Sequence, residues 1–546
     1  MKLNVRFLSS LEKVFCEPEL KSEPLTHLTA LRGETLSFQI ALKSERGSAP
    51  VWDVLETGIP EFEIREAAVV PCLMPAVRED PYTLRTTAGL YPDPLVPLSG
   101  RIRLTPGNWH SLWVTLRIPA DFTPGNCQFR IRFRNDTELY WGEFENENCE
   151  YTLPIEILSP VLPEQELCNI NWFYADCIAE YYRTPCWSER HWELLETYFR
   201  NMRAHGITHL LTPLWSVPLD TAVGGERPTA QLLGISWKGG KYSFDFSLLK
   251  RWIDTARRSG FEHLEMSHAF TQWGAEATPK IIVNGEKRFG WHVRADSAEY
   301  RDFLEQLFPE LLEFLRKEGL EGKCLFHVSD EPSETQLESY AYASNLLRSL
   351  LQGNYAVIDA LSHVDFFRKG LVSTPVPVTN ALDEFMKEEK IPERWVYYCG
   401  NWEDGVPNRQ FGMPSARNRI LGVLLFVYNL DGFLNWGYNF WFRSFSRGLL
   451  DPWKETEAGR SFRGGGSFNV YPGENGPVDS IHYEVFYEAL QDLRALRALE
   501  KRIGREEVLR ILTEGLSEPL SMRHYPRSAS WILETREKIN RRLAME

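Results

Sequence analysis

From about residue 160 onward, short apolar runs alternate with longer stretches of helical periodicity, and the alternation repeats eight times. The candidate strands cover 168–174, 207–214, 261–268, 323–329, 354–360, 376–381, 394–400 and 431–436. Between the first two, Trp192, Leu195, Phe199 and Met202 recur at helical spacing, with Ser188 able to cap the start and Gly206 able to end it. Ahead of the fourth, Leu304, Leu307, Leu311 and Leu315 form a second apolar stripe, in which Pro309 is expected to kink the helix. Eight such repeats predict an α/β fold, a (β/α)8 TIM-like barrel. A doubly wound sheet is the alternative arrangement of the same pattern.

The first part of the chain follows a different rule. Residues 34–42 alternate in polarity, placing Leu36, Phe38, Ile40 and Leu42 on one face, and 111–118 and 127–133 alternate as well. Thr123-Pro-Gly125 supplies a turn between those two runs. Short alternating strands separated by turns predict a β-sandwich. The end of the chain carries two amphipathic helical stretches, 506–512 and 529–543, expected to pack on the barrel. The expected organisation is a sandwich over 1–163, a catalytic barrel over 164–500 and a short helical extension over 501–546.

Composition narrows the function. The chain of 546 residues is 43% hydrophobic and 25% charged with a net charge of −14, and it shows no basic stripe of the kind that nucleic acid requires. No apolar run is long enough to cross a bilayer. The polar-interrupted start lacks a signal-peptide core, and the nine cysteines are odd in number without a CxxC pair, which together predict a cytoplasmic protein. Cys168, Cys177 and Cys186 are evenly spaced but match no metal motif, no HExxH occurs, and 224–240 lacks phosphate-loop order, so neither a metal nor a cofactor is expected. Of 18 tryptophans, 14 lie from Trp172 onward; indole faces stack on sugar rings, and large aromatics also simply fill cores, so the excess suits both.

In a barrel, function gathers where the strands end. Those ends read Trp172 and Asp176 after the first strand, Trp215 after the second, Glu265 and His268 at the third, and Asp330-Glu331-Pro332 at the fourth. Asp359 sits on the fifth, Tyr397, Tyr398, Trp402 and Glu403 close the seventh, and Asn435, Trp436, Tyr438 and Trp441 follow the eighth. Neighbouring residues of a regular strand point to opposite faces. Two adjacent carboxylates therefore share one pocket only where the strand is ending, and Pro332 forces such a departure. Two close carboxylates also push their pKa values apart, so that one keeps the proton glycoside cleavage needs. A solvated Asp-Glu at a helix start is the other reading of the pair.

His327-Val-Ser-Asp-Glu-Pro332 resembles the catalytic strand of glycoside hydrolase family 123, the β-N-acetylgalactosaminidases. The segment from Asp431 to Trp441 resembles that family's last strand, and Tyr471-Pro-Gly473 with Ser480-Ile481 resembles its downstream block. The resemblance spans about 165–500. It departs from the family where Gly464-Gly-Gly466 stands in place of Gly-Asp-Gly. What it implies is an exo-acting, retaining, substrate-assisted enzyme in which the sugar's 2-acetamido oxygen attacks the anomeric carbon. Glu331 would then be the general acid/base and Asp330 would orient the acetamido nitrogen. Tyr397 or Tyr398 would bond the acetamido carbonyl, and Trp402, Trp436 and Trp441 would stack on the ring.

The remaining strand-end residues, Trp172, Asp176, Trp215, Glu265, His268, Asp359, Asn435 and Tyr438, are candidate substrate contacts. His327 reads rather as barrel packing. Two further readings stay open: a conventional two-carboxylate glycosidase with Glu331 as acid and Glu403 as nucleophile, and a non-catalytic carbohydrate-binding protein. In each the partner is an oligosaccharide or glycoside, and the sequence leaves the oligomeric state undetermined.

Overall fold

The computed structural model describes all residues other than 1, 77–79, 81, 99, 138, 140–142, 146–148, 399–404 and 546. Two antiparallel-rich sheets form the N-terminal sandwich. One has the strand order Leu3–Ser9, Thr35–Ser44, Trp109–Arg117, Glu61–Cys72, Gly89–Pro97; the other runs Leu28–Arg32, Glu150–Val161, Gly125–Asn135, Pro50–Glu56. The polarity alternation of Thr35–Ser44 does what its period requires: Leu36, Phe38, Ile40 and Leu42 enter the core between the sheets, where Phe38 meets Phe129 edge-on at 5.2 Å. The opposite face is buried too. Trp113 joins the core of the helices of the second half, whereas Gln39 donates to the Ser9 and Glu12 carbonyls and Ala41 packs with Leu8, Val14 and Trp109 of the sandwich itself.

The second half is the expected barrel. Its strands are β1 (Cys168–Asn171), β2 (His209–Thr212), β3 (His263–Met266), β4 (Cys324–Phe326), β5 (Ala356–Ala360), β6 (Thr374–Val376), β7 (Trp395–Tyr398) and β8 (Gly432–Asn435). They pair in parallel in the order β6-β5-β4-β3-β2-β1-β8-β7. The ring closes between β6 and β7 through a parallel bridge from Val378 to Tyr397, with the Tyr397 N–H donating to the Pro377 carbonyl at 3.0 Å. A parallel pairing that closes on itself is a barrel and not a doubly wound sheet.

The strands are shorter than the apolar runs, because the residues at each end turn toward the mouth or the floor. The sixth is displaced, at Thr374–Val376 instead of 376–381, since Pro377 ends the donor pattern. Helices cover the outside. In Glu189–Ala204 the Ser188 side chain accepts from the His191 N–H, and Trp192, Leu195, Phe199 and Met202 are buried. Helix Ala298–Lys317 runs through Pro309 and buries Leu304, Leu307, Leu311 and Leu315. The long helix Ile481–Ile503 follows β8, and after it come Arg505–Thr513 and Ala529–Met545. The last of these packs on Ile481–Ile503 and also on the sandwich strands Leu28–Arg32 and Glu150–Val161. The tail therefore bridges both halves instead of resting on the barrel alone.

Candidate active site

β4 ends at Phe326, and the chain then crosses the barrel mouth as His327-Val-Ser-Asp-Glu. Glu331 sits in the left-handed region at φ 42°. That conformation, rare for a non-glycine residue, breaks the strand's two-residue alternation and lets both acids reach one pocket. The backbone is pinned on both sides: the Glu331 N–H donates to the Ala360 carbonyl at 3.0 Å, and the Trp273 N–H donates to the Asp330 carbonyl at 2.8 Å. Pro332 and a capping box between Ser333 and Gln336 then start the next helical turn.

The pocket is lined by Trp172, Tyr174, Leu219, Asp220, Gln272, Trp273, Asp330, Glu331, Ala360, Tyr397, Leu434, Trp436 and Phe462. The acids therefore face a cleft walled by aromatic rings. The Tyr397 hydroxyl donates to Glu331 Oε1. Burial holds the Asp330 carboxyl well above the usual carboxylate range, and the nearby charges of Glu331 and Asp359 push it further in the same direction. His327 opposes that shift.

Beneath the acids lies a buried polar network. His327 Nε2 meets Glu265 Oε1 at 2.5 Å and Nδ1 meets Asp359 Oδ1 at 3.2 Å. Burial alone would lower this imidazole, but the hydrogen bonds and charges of Asp359 and Glu265 outweigh it and raise His327 to about 9. Asp359 also accepts from the Val328 N–H at 3.0 Å and from the Tyr340 hydroxyl. Glu265 takes the Trp172 indole N–H at 2.7 Å. His268 stacks on His327 at 4.3 Å and is held neutral by burial and by that neighbour's charge. The Trp215 indole donates to the His268 carbonyl at 2.8 Å.

The sequence candidates thus sort by depth. Trp172, Asp330, Glu331, Tyr397 and Trp436 line the pocket. Glu265, His268, Asp359 and Trp215 form the layer below it. Asn435 is buried close by, donating to Asn171 Oδ1 at 2.7 Å. Asp176 grips Arg227 at 2.8 and 2.9 Å, and that guanidinium lies 4.6 Å from the Tyr174 ring, so Asp176 reaches the pocket only through its wall. Tyr398, one residue beyond Tyr397, points out of the barrel and packs edge-on against Phe433 at 5.1 Å. Tyr438 bonds Asn201 at 2.7 Å and Trp441 donates to the Val470 carbonyl at 3.2 Å, both within the helical layer. Trp402 and Glu403 fall outside the described residues.

The pocket also contains residues that the strand ends did not single out. Tyr174 lay within the first strand end, but its parity was not readable there. Asp220, Gln272 and Trp273 sit on loops beyond β2 and β3, and Phe462 on the long segment after β8. Burial raises Asp220 to about 6, against the opposing pull of the Phe445 N–H and Arg227.

Two groups of side chains bring metal-ligand atoms together among the described residues: His268, His327 and Asp359, and His205, Asp479 and Glu484. In the first, both His327 nitrogens already face carboxylates. In the second, Arg65 bonds both Asp479 and Glu484. His327 with its two acids, and Arg65 with Asp479 and Glu484, are hydrogen-bonded ion networks; His268 is stacked on the first of them and bonded to neither acid. Two adjacent carboxyl groups among aromatic walls that share one proton can deliver it to a leaving oxygen and, as the remaining carboxylate, polarise a neighbouring group.

The model of the glycoside hydrolase 123 catalytic domain matches residues 172–499. No curated protein matches the sequence. Among solved structures, the chain is similar to a family 123 glycoside hydrolase from Clostridium perfringens, studied for glycolipid glycan hydrolysis, with a TM-score of 0.77 at 14% identity over 100% of this chain and 98% of that one. The likeness to the β-glucuronidase of Ruminococcus gnavus is far weaker, with a TM-score of 0.32 at 8% identity over 84% of this chain and 89% of that one.

Proposed function

The chain belongs to glycoside hydrolase family 123, and from that premise we propose that it is an exo-acting, retaining β-N-acetylgalactosaminidase, or a related β-N-acetylhexosaminidase, that uses the substrate's own 2-acetamido group as nucleophile. The observation that carries this reading is the adjacency of Asp330 and Glu331 in one pocket, opened by the left-handed Glu331. A two-carboxylate retaining enzyme needs a nucleophile across the sugar from the acid. When the nucleophile travels on the substrate, one acid at the leaving oxygen and one carboxylate at the acetamido nitrogen suffice.

In this mechanism Glu331, oriented by the Tyr397 hydroxyl, protonates the departing oxygen while the acetamido oxygen attacks the anomeric carbon. Positive charge develops on the ring that forms. Asp330 accepts the acetamido N–H and faces that charge. Burial and the charge of Glu331 hold the pair's proton on Asp330 in the free enzyme; as the acetamido N–H and the developing cation come to face Asp330, that proton passes to Glu331 and on to the leaving oxygen, and the charge pair formed only at that stage stabilises the transition state. Glu331 then takes a proton from the water that opens the intermediate, giving retention.

The test uses an aryl 2-acetamido-2-deoxy-β-galactoside. Glu331→Gln should lower kcat by about 10²- to 10⁴-fold, the usual weight of a general acid. Glu403→Ala should leave most turnover intact. A wild-type enzyme that cleaves no 2-acetamido glycoside would sink the reading.

A further inference from the structure

Asp220 stands apart from the acid pair in sequence but shares its pocket. Its backbone is left-handed at φ 43°, as are those of Phe445 at 61° and Ser446 at 54°, the two residues that hold it. The Phe445 N–H donates to Asp220 Oδ2 at 2.9 Å, the Ser446 hydroxyl donates to the Asp220 carbonyl at 2.7 Å, and the Asp220 N–H donates to the Gln272 side chain. Two loops from different parts of the barrel thus accept unfavourable backbone geometry to aim one carboxylate.

That carboxylate is not spent on the fold. Among the described residues it faces the backbone N–H groups of Phe445 and Ser446 and forms no ion pair, while the nearby Arg227 is engaged by Asp176 at 2.8 and 2.9 Å. A carboxylate offers about four lone-pair sites, so acceptor capacity remains on the side of the pocket. A third acid placed near Asp330 and Glu331 also adds repulsion, a cost that hydroxyl donors of a ligand would offset. The aromatic contacts of Trp273 with Phe445 and of Trp436 with Phe462 frame the same space.

We propose that Asp220 is a specificity-determining residue that accepts a hydroxyl of the sugar ring seated over Asp330 and Glu331. The inference rests on the reading above that a 2-acetamido sugar occupies this pocket. A carboxylate fixed by backbone donors selects for a hydroxyl at one position and orientation, and an unmatched ring leaves the charge desolvated.

The experiment compares wild type, Asp220→Ala and the milder Asp220→Asn on an aryl 2-acetamido-2-deoxy-β-galactoside and on its 3-, 4- and 6-deoxy analogues, with folding checked by circular dichroism. Asp220→Ala should raise KM by about 10- to 100-fold, as loss of a charged hydrogen bond does, with kcat changed far less, and Asp220→Asn should raise it less. One deoxy analogue should lose comparable affinity in the wild type and lose nothing further in Asp220→Ala, a coupling that a merely structural role would not produce. An unchanged KM, or additive losses for every analogue, overturns the inference while leaving the function standing. A collapse of kcat in Asp220→Ala that azide restores, with a glycosyl azide as product, marks Asp220 as a nucleophile and overturns both. A wild type that cleaves no 2-acetamido glycoside overturns the function first and this inference with it.

Discussion

Burial disfavours the charged form of two groups separated by only a few residues, with opposite outcomes. It pushes Asp330 toward its neutral form, yet His327 stays charged, because Glu265 and Asp359 grip both of its nitrogens. An imidazole raised to about 9 in the fold and near 6.5 when unfolded contributes stability that is complete below pH 6.5 and is lost as pH rises through about 9. His327→Gln should therefore lower the unfolding free energy at pH 6 by about 3–5 kcal/mol, the cost of leaving buried acids unpaired, and lower it less at pH 9.5. Urea titrations at the two pH values check this, and an equal loss at both would show that His327 is neutral in the fold. The acids were readable because an apolar run stopped at Asp330-Glu331 and Pro332 forbade its continuation. Tyr397 and Tyr398 were not separable, since a strand's pattern fixes alternation but not which of two adjacent tyrosines faces inward. Asp220 left no periodic signal, because its position depends on the distant Phe445 and Ser446.

The eight strands were legible because parallel barrel strands are buried on both faces and read as continuous apolar runs. The end of β1 was not, since Trp172-Phe173-Tyr174, which leave the ladder to build the mouth, are as apolar as the strand itself. Helix contacts are set on a finer scale than patterning resolves. Gly422 lies in the helix Leu421–Val427, where a Cβ would come 2.0 Å from the Ala489 carbonyl oxygen of Ile481–Ile503. Backbone cannot move aside as a side chain does, so Gly422→Ala should destabilise the protein by about 3 kcal/mol, the upper range of overpacking. An unchanged melting temperature would mean that the two helices can separate without cost.

The sandwich and the barrel are joined by buried charge. Arg65 of the sandwich meets Asp479 at 2.6 Å and Glu484 at 2.5 Å, Asp93 meets His482 at 2.7 Å, and Arg536 of the last helix reaches Glu34 at 2.9 Å. Polarity alone does not separate these buried charges from those of Gly125–Asn135, where Arg132 and Arg134 are exposed and pair with Glu150 and Asp53 on the sandwich surface. Arg65→Ala should cost about 3–5 kcal/mol by stranding Glu484, while the wild type should melt in one calorimetric transition. Two separated transitions in the wild type would show that the halves are independent.

The step most open to direct test is the proposed attack by the sugar's own acetamido group within this assembled pocket. It is tested by kcat on aryl 2-acetamido-2-deoxy-β-galactosides carrying zero, one, two or three fluorines on the acetyl group. Fluorine withdraws electrons from the attacking carbonyl oxygen and leaves the leaving group unchanged. Attack by the acetamido oxygen requires kcat to fall steeply and progressively along the series, and rates that stay level across it would show that the nucleophile lies elsewhere.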